Sequence, residues 1–405
     1  MENRRLPIFS YYTYFDVGGR HERKGITGAS HFLEHLMFKG AKKYGAGEFD
    51  SLIEGNGGFS NAYTTFDNTV YHENMPSKSL PIIIDMEADR MVNLLLEPNA
   101  FEKERQVVLE ERKQRCENRP MGKLFLTMMQ AVFENTPYGG SVIGDIEDIK
   151  NVSRDQIYDY FKKYYSPNNA IIVVVGDVDT KETMAMIKEK YGSLKANPNL
   201  KKLKEKMDDD ELYKHRGRYG RSINLEGQSP NPIFILATKG LPLGSYKSYV
   251  VDLLSSILGD GASSYLSNLY VINDKPELAS VSAGHYTLRK NGVFYILGHM
   301  IKKEKPETLK NKILKKMDDF CKEAITERAL QRTKNQYFTS YLNGIRSNAG
   351  AARFLGSFEF FHGDYRYFDK EWNIYNSITL EEIREACHEI IKKEEFLFLS
   401  IWDKN

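Results

Sequence analysis

The residues best equipped to do chemistry sit in one ten-residue stretch, His31 to Gly40, HFLEHLMFKG. On a helix, side chains three and four apart share a face, so His31, Glu34 and His35 project together. Two imidazoles one turn apart can grip one tetrahedral metal ion. The carboxylate between them is then free to handle the proton of a bound water. This is the HEXXH zinc pattern in reverse, HXXEH. Phe32, Leu33, Leu36, Met37 and Phe38 give such a helix apolar contacts, and Ser30 is positioned to act as its N-cap.

A second stretch, dense in Glu, Lys and Arg, follows further along the chain. The sequence predicts a helix over residues 101–115, in which Glu104 and Glu111 stand seven residues apart and so nearly on one face. Glu102 and Glu110 fall off that face. Most acids on so charged a helix belong to a solvated surface, and the spacing alone does not choose among them.

The rest of the chain must position these two helices. It has 405 residues, 41% apolar and 28% charged, enough for two domains of about 200 residues, each with its own core. A net charge of +2 argues against nucleic acid or a membrane surface as partner. No apolar run reaches membrane-spanning length. The opening residues, MENRRLPIFSYY, lack a signal-peptide core, which leaves the compartment open between cytoplasm and, if the start is processed, periplasm. Cys116, Cys321 and Cys387 form no CXXC pair and read as buried free thiols.

In order, the sequence predicts a strand from Ile8, a helix over residues 48–55, a strand–turn–strand over residues 59–71, and a helix over residues 79–95. A helix over residues 121–133, a Gly-rich loop YGGSVIG, and a buried strand NAIIVVV (Asn169–Val175) follow. The composition turns polar from Ser193 to Arg221, a solvated linker of mixed charge with a few turns of exposed structure. Beyond it the element order repeats, and FLFLSI near the C-terminal end matches NAIIVVV in position. The expected fold is α+β: two halves of similar plan, residues 1–192 and 229–405, joined by a linker over residues 193–228.

HFLEHLMFKG, GGFSNAYTTFDNTVYH, FEKERQVVLEE, YGGSVIGDIEDI and NAIIVVVGDV occur in that order, and together they resemble the pitrilysin family of inverzincin peptidases, in particular its smaller members similar to the mitochondrial processing peptidase. The resemblance is dense over residues 7–190 and looser beyond. It implies two homologous halves enclosing a chamber, one Zn²⁺ per chain held by His31, His35 and Glu111, Glu34 as the catalytic base, and Glu104 as support for a ligand histidine. With no thiolate in the set, cobalt or manganese also suits it. The resemblance also implies that Ser60, Asn61 and Ala62 lie along a peptide substrate's backbone. It implies a partner subunit, homologous or identical. Active relatives carry an Arg and a Tyr in the second half where this chain has Asn273 and Ser280, so a heterodimer partner is expected to supply them. The competing expectation is a non-catalytic scaffold subunit of a larger complex.

Overall fold

The computed structural model describes residues 1–214, 217–227 and 229–403. Residues 215, 216 and 228 of the expected linker, and 404 and 405 of the expected second domain, lie outside the described residues.

Two runs of elements follow one another. The first is β1 (Ile8–Phe15), α1 (Ala29–Leu36), α2 (Glu48–Gly55), β2 (Phe59–Thr64), β3 (Thr69–Pro76), α3 (Leu80–Val92), α4 (Pro98–Lys113), α5 (Pro120–Val132), α6 (Ile146–Asn151), α7 (Arg154–Tyr164), β4 (Ala170–Gly176) and α8 (Thr180–Tyr191). After α9 (Leu200–Met207) and β5 (Ser222–Glu226) comes the second: β6 (Ile233–Lys239), α10 (Tyr246–Gly259), α11 (Tyr265–Tyr270), β7 (Leu278–Thr287), β8 (Gly292–Met300), α12 (Pro306–Asp319), α13 (Glu327–Gly344), α14 (Asn348–His362), α15 (Tyr367–Ser377), α16 (Leu380–Ile390) and β9 (Leu397–Trp402).

Each run builds one sheet with the same plan. The first has order β2-β3-β1-β4 and the second β7-β8-β6-β9, extended by β5 at its far edge. All pairings are antiparallel except β5 with β9. The fold is α+β, as the sequence predicts, and FLFLSI does occupy the place of NAIIVVV.

Two compact units result, and neither is a continuous stretch of chain. One comprises residues 1–112, 141–209 and 341–368; the other comprises residues 113–140, 210–340 and 369–405. Helix α14, from the second run, therefore packs on β1 and β4 of the first sheet, while α5, from the first run, packs on β6 and β9 of the second. Tyr12, Tyr14, Val70 and Val175 of the first sheet form a core with Ala351, Ala352 and Phe360 of α14. The second unit has its own large core, built on Phe234, Leu254, Ile257, Phe294, Ile313 and Phe398.

Three local expectations are corrected. NAIIVVV is not fully buried: β4 is a sheet edge, and Ala170 to Val174 are each partly exposed. A continuous apolar run cannot by itself distinguish a central strand from an edge laid beside a helix. Cys321 and Cys387 form a disulfide with their Cα atoms 5.6 Å apart, and Cys116 is the buried cysteine outside that bond. The packing of α16 against the turn after α12 brings the two together across 66 residues of sequence. Beyond the few exposed turns expected after Ser193, which α9 provides, that stretch also carries the edge strand β5. Among the described residues, no helix is long and apolar enough to cross a membrane.

Candidate metal centre

Helix α1 packs beneath β2 and β3, burying Phe32, Leu33 and Leu36. Its start is more elaborate than a serine cap. The N-cap is Gly28, at φ 86°, and Ser30 lies inside the first turn, where its hydroxyl meets that of Tyr160 at 2.8 Å. The Glu22 carboxylate takes up the free N–H groups, accepting from Gly28 N at 2.6 Å and Ser30 N at 2.8 Å. Glycine is required at position 28: a Cβ there would stand 2.1 Å from the Ile143 carbonyl. Asp148, at the start of α6, accepts from Gly25 N, Thr27 N and Thr27 Oγ1. The VIGDIEDI stretch thus clamps the entry to the histidine helix.

Helix α4 is fixed to the same region. Phe101 packs on Phe32 with ring centroids 4.9 Å apart. Arg105 donates to the carbonyls of Ile149 and Val152, and Arg112 to that of Gly144 at 2.7 Å. With its register set, α4 directs Glu104 and Glu111 at α1.

His31, His35 and Glu111 each offer one ligand atom, all within 4.8 Å of one another. Glu111 Oε2 lies 3.6 Å from His31 Nε2 and 3.2 Å from His35 Nε2. Donors about 2.1 Å from a tetrahedral zinc stand roughly 3.4 Å apart, so these separations suit one small cation. His35 Nδ1 meets Glu104 Oε1 at 2.9 Å, and Lys39 Nζ meets Glu104 Oε2 at 2.9 Å. Where His35 Nδ1 donates to Glu104, its Nε2 is the ring nitrogen left to face a cation. Glu34 is buried and accepts a hydrogen bond from the Thr64 hydroxyl of β2.

The electrostatics point the same way. Burial alone would depress the His35 imidazolium, yet the hydrogen bonds to Glu104 and Glu111 and the charge of Glu34 push its pKa up to about 9. Burial raises Glu104, but its bonds to His35 and Lys39 outweigh that and hold it below the usual carboxylate range. The surrounding carboxylates thus favour positive charge at His35. Glu104→Gln should weaken zinc binding roughly 10–100-fold in a chelator competition while leaving the fold intact.

The other expected residues are placed as follows. Glu102 and Glu110 are exposed, and Glu102 pairs with Arg105. Ser60, Asn61 and Ala62 lie on β2, which pairs with β3 on one side only and is an edge of the sheet. Ala62 N–H donates to Asn61 Oδ1 at 2.8 Å. In the other unit, Asn273 bonds to the Leu269 carbonyl and Ser280 stands at an irregularity in the β7 register. Nearby, Tyr270 is buried and the Tyr265 ring lies tilted against Phe320, centroids 5.0 Å apart. Sequence reasoning missed Glu22, Lys39, Thr64 and Asp148. Lys39 carries a detectable signal, since it falls one turn beyond His35.

Residues 9–146 match the family model described as insulinase (peptidase family M16), and residues 151–337 match the peptidase M16 inactive domain. The zinc protease PqqE of Helicobacter pylori is 32% identical over 355 residues, spanning 87% of this chain and 78% of that protein. The β subunit of the rat mitochondrial-processing peptidase is 32% identical over 191 residues, 47% of this chain and 39% of the subunit. A crystal structure of a protease from Helicobacter pylori superposes with a TM-score of 0.87 at 25% identity, covering 98% of this chain and 95% of that one. A Pseudomonas fluorescens structure titled as the peptidase M16 inactive domain shares the fold, with a TM-score of 0.85 at 18% identity over 100% of this chain and 95% of that one.

Proposed function

The chain belongs to the insulinase, or pitrilysin-like, family of peptidases, M16, and on that premise we propose that it is a zinc-dependent endopeptidase acting on short or unfolded peptides. The observation that carries this reading is the convergence of His31, His35 and Glu111 on one point, with Glu104 behind His35. A zinc ion bound there supplies Lewis-acid chemistry, acidifying a water and polarising a carbonyl.

The protein's own groups do the rest. His31, His35 and Glu111 hold the ion, one per chain. Glu34, fixed by Thr64, accepts the proton of the attacking water and returns it to the leaving amine. Glu104 keeps His35 in the orientation and tautomer that binding requires.

The substrate lies as an added strand on the free edge of β2, along Ser60, Asn61 and Ala62. The Ala62 N–H supports this: it is given to a neighbouring side chain and not to β3, so an incoming carbonyl can take it over. A cleft of about 390 Å³ beside the strand, lined by Phe38, Asp50, Ile53, Glu54, Phe59 and Ser60, has room for a side chain. Pairing of this kind demands an extended backbone, which favours short or unfolded peptides. Asn273 and Ser280 cannot provide a guanidinium or phenol donor, so we assign that task to a partner subunit and read this chain as the zinc-bearing member of a dimer.

The test is hydrolysis of unstructured peptides by the zinc-loaded protein, alone and with its candidate partner, against a chelator-treated control. Turnover that is unaffected by the chelator overturns the reading. Ala62→Pro removes one outward N–H without breaking the ladder to β3, and should lower kcat/KM roughly tenfold at unchanged zinc content.

A further inference from the structure

The outer face of the β2 edge carries a cation. Side chains along a strand alternate, so Phe59, Asn61 and Tyr63 share one face of the sheet and Ser60, Ala62 and Thr64 the other. The second set faces the metal helix, since Thr64 bonds to Glu34. The first set faces α14: Tyr63 stands opposite Val70, Val70 opposite Tyr14, and all three pack with Ala351 and Ala352.

At this place α14 presents Arg353. Its guanidinium carbon lies 6.0 Å from the centroid of the Tyr63 ring, and its charge acts on that tyrosine's hydroxyl. The Tyr14 hydroxyl donates to the Arg353 carbonyl at 2.9 Å, which fixes the turn of helix that carries it. Arg353 is exposed, its charge is felt by Tyr12 and His72, and among the described residues no carboxylate pairs with it. An arginine engaged only by neutral rings retains most of its capacity to bind a carboxylate.

A peptide strand added to β2 would set every second side chain beside Asn61 and Tyr63, about 5 Å from them across the new ladder. We infer that Arg353 is a specificity-determining residue, recognising an acidic side chain that the peptide projects onto the α14 face of the sheet. This rests on the reading of β2 as the strand that receives the peptide.

The test uses the zinc-loaded full chain carrying Glu34→Gln, so that peptides bind without being cut. The probes are fluorescent extended peptides that differ only in one central Glu, Gln or Lys. The Glu peptide should bind about threefold to fivefold tighter than the Gln peptide, an advantage that added salt removes. Arg353→Gln should abolish that preference, and Arg353→Glu should reverse it in favour of the Lys peptide, both at an unchanged melting temperature. Binding that is indifferent to charge, or a preference that survives Arg353→Glu, overturns the inference alone, provided that Ala62→Pro still weakens binding. Failure of every peptide to bind overturns it together with the strand-addition reading on which it rests.

Discussion

Glu34→Gln should leave the zinc content unchanged and lower peptide hydrolysis on the order of 10³-fold. The amide has the shape of the carboxylate and can still accept the hydrogen bond from Thr64, so the local packing survives. It cannot take a proton from water at neutral pH, and only that capacity is lost. Because Glu34 is not among the three residues whose ligand atoms converge, its loss and the loss of metal are separable experiments. A kcat equal to that of the parent protein would remove Glu34 from the role of base, whatever the metal content.

Glu111→Gln should have the opposite signature. The neutral amide is a poor ligand, and the two imidazoles alone make an incomplete set for zinc. Zinc measured by elemental analysis after dialysis should fall well below that of the parent. The loss of affinity should exceed the 10–100-fold expected for Glu104→Gln, since one residue would contact the ion and the other only the back of His35. Full occupancy in Glu111→Gln with a large loss in Glu104→Gln would exchange the two roles. Glu110, exposed and about 100° around α4 from Glu111, enters neither outcome.

The centre is legible in the sequence because its logic is local and periodic. HXXEH sets three side chains on one helical face, and a seven-residue spacing sets Glu104 and Glu111 on one face of another. The doubled architecture is legible for a similar reason, since apolar runs of strand length recur in the same order relative to the helices.

What escapes the sequence is contact between residues distant along the chain. Glu22 caps α1 only because the turn through Gly25 and Gly28 doubles back, and no helical period connects it to Ser30. Thr64 reaches Glu34 only once β2 is laid over α1. The bond between Cys321 and Cys387 depends on a helix packing that no spacing reveals. β5 is a short strand in polar surroundings, paired in parallel with β9, and neither feature gives it a local signature.

The placement of α14 on the first sheet and of α5 on the second bears on how the molecule is made. During synthesis, the first 209 residues can form a sheet and the histidine helix, but one side of that sheet stays uncovered until residues 341–368 have emerged from the ribosome. Cutting the gene between the two runs would give two polypeptides, each lacking a helix that the other holds, so each should be poorly soluble alone. Produced together, they should restore one another.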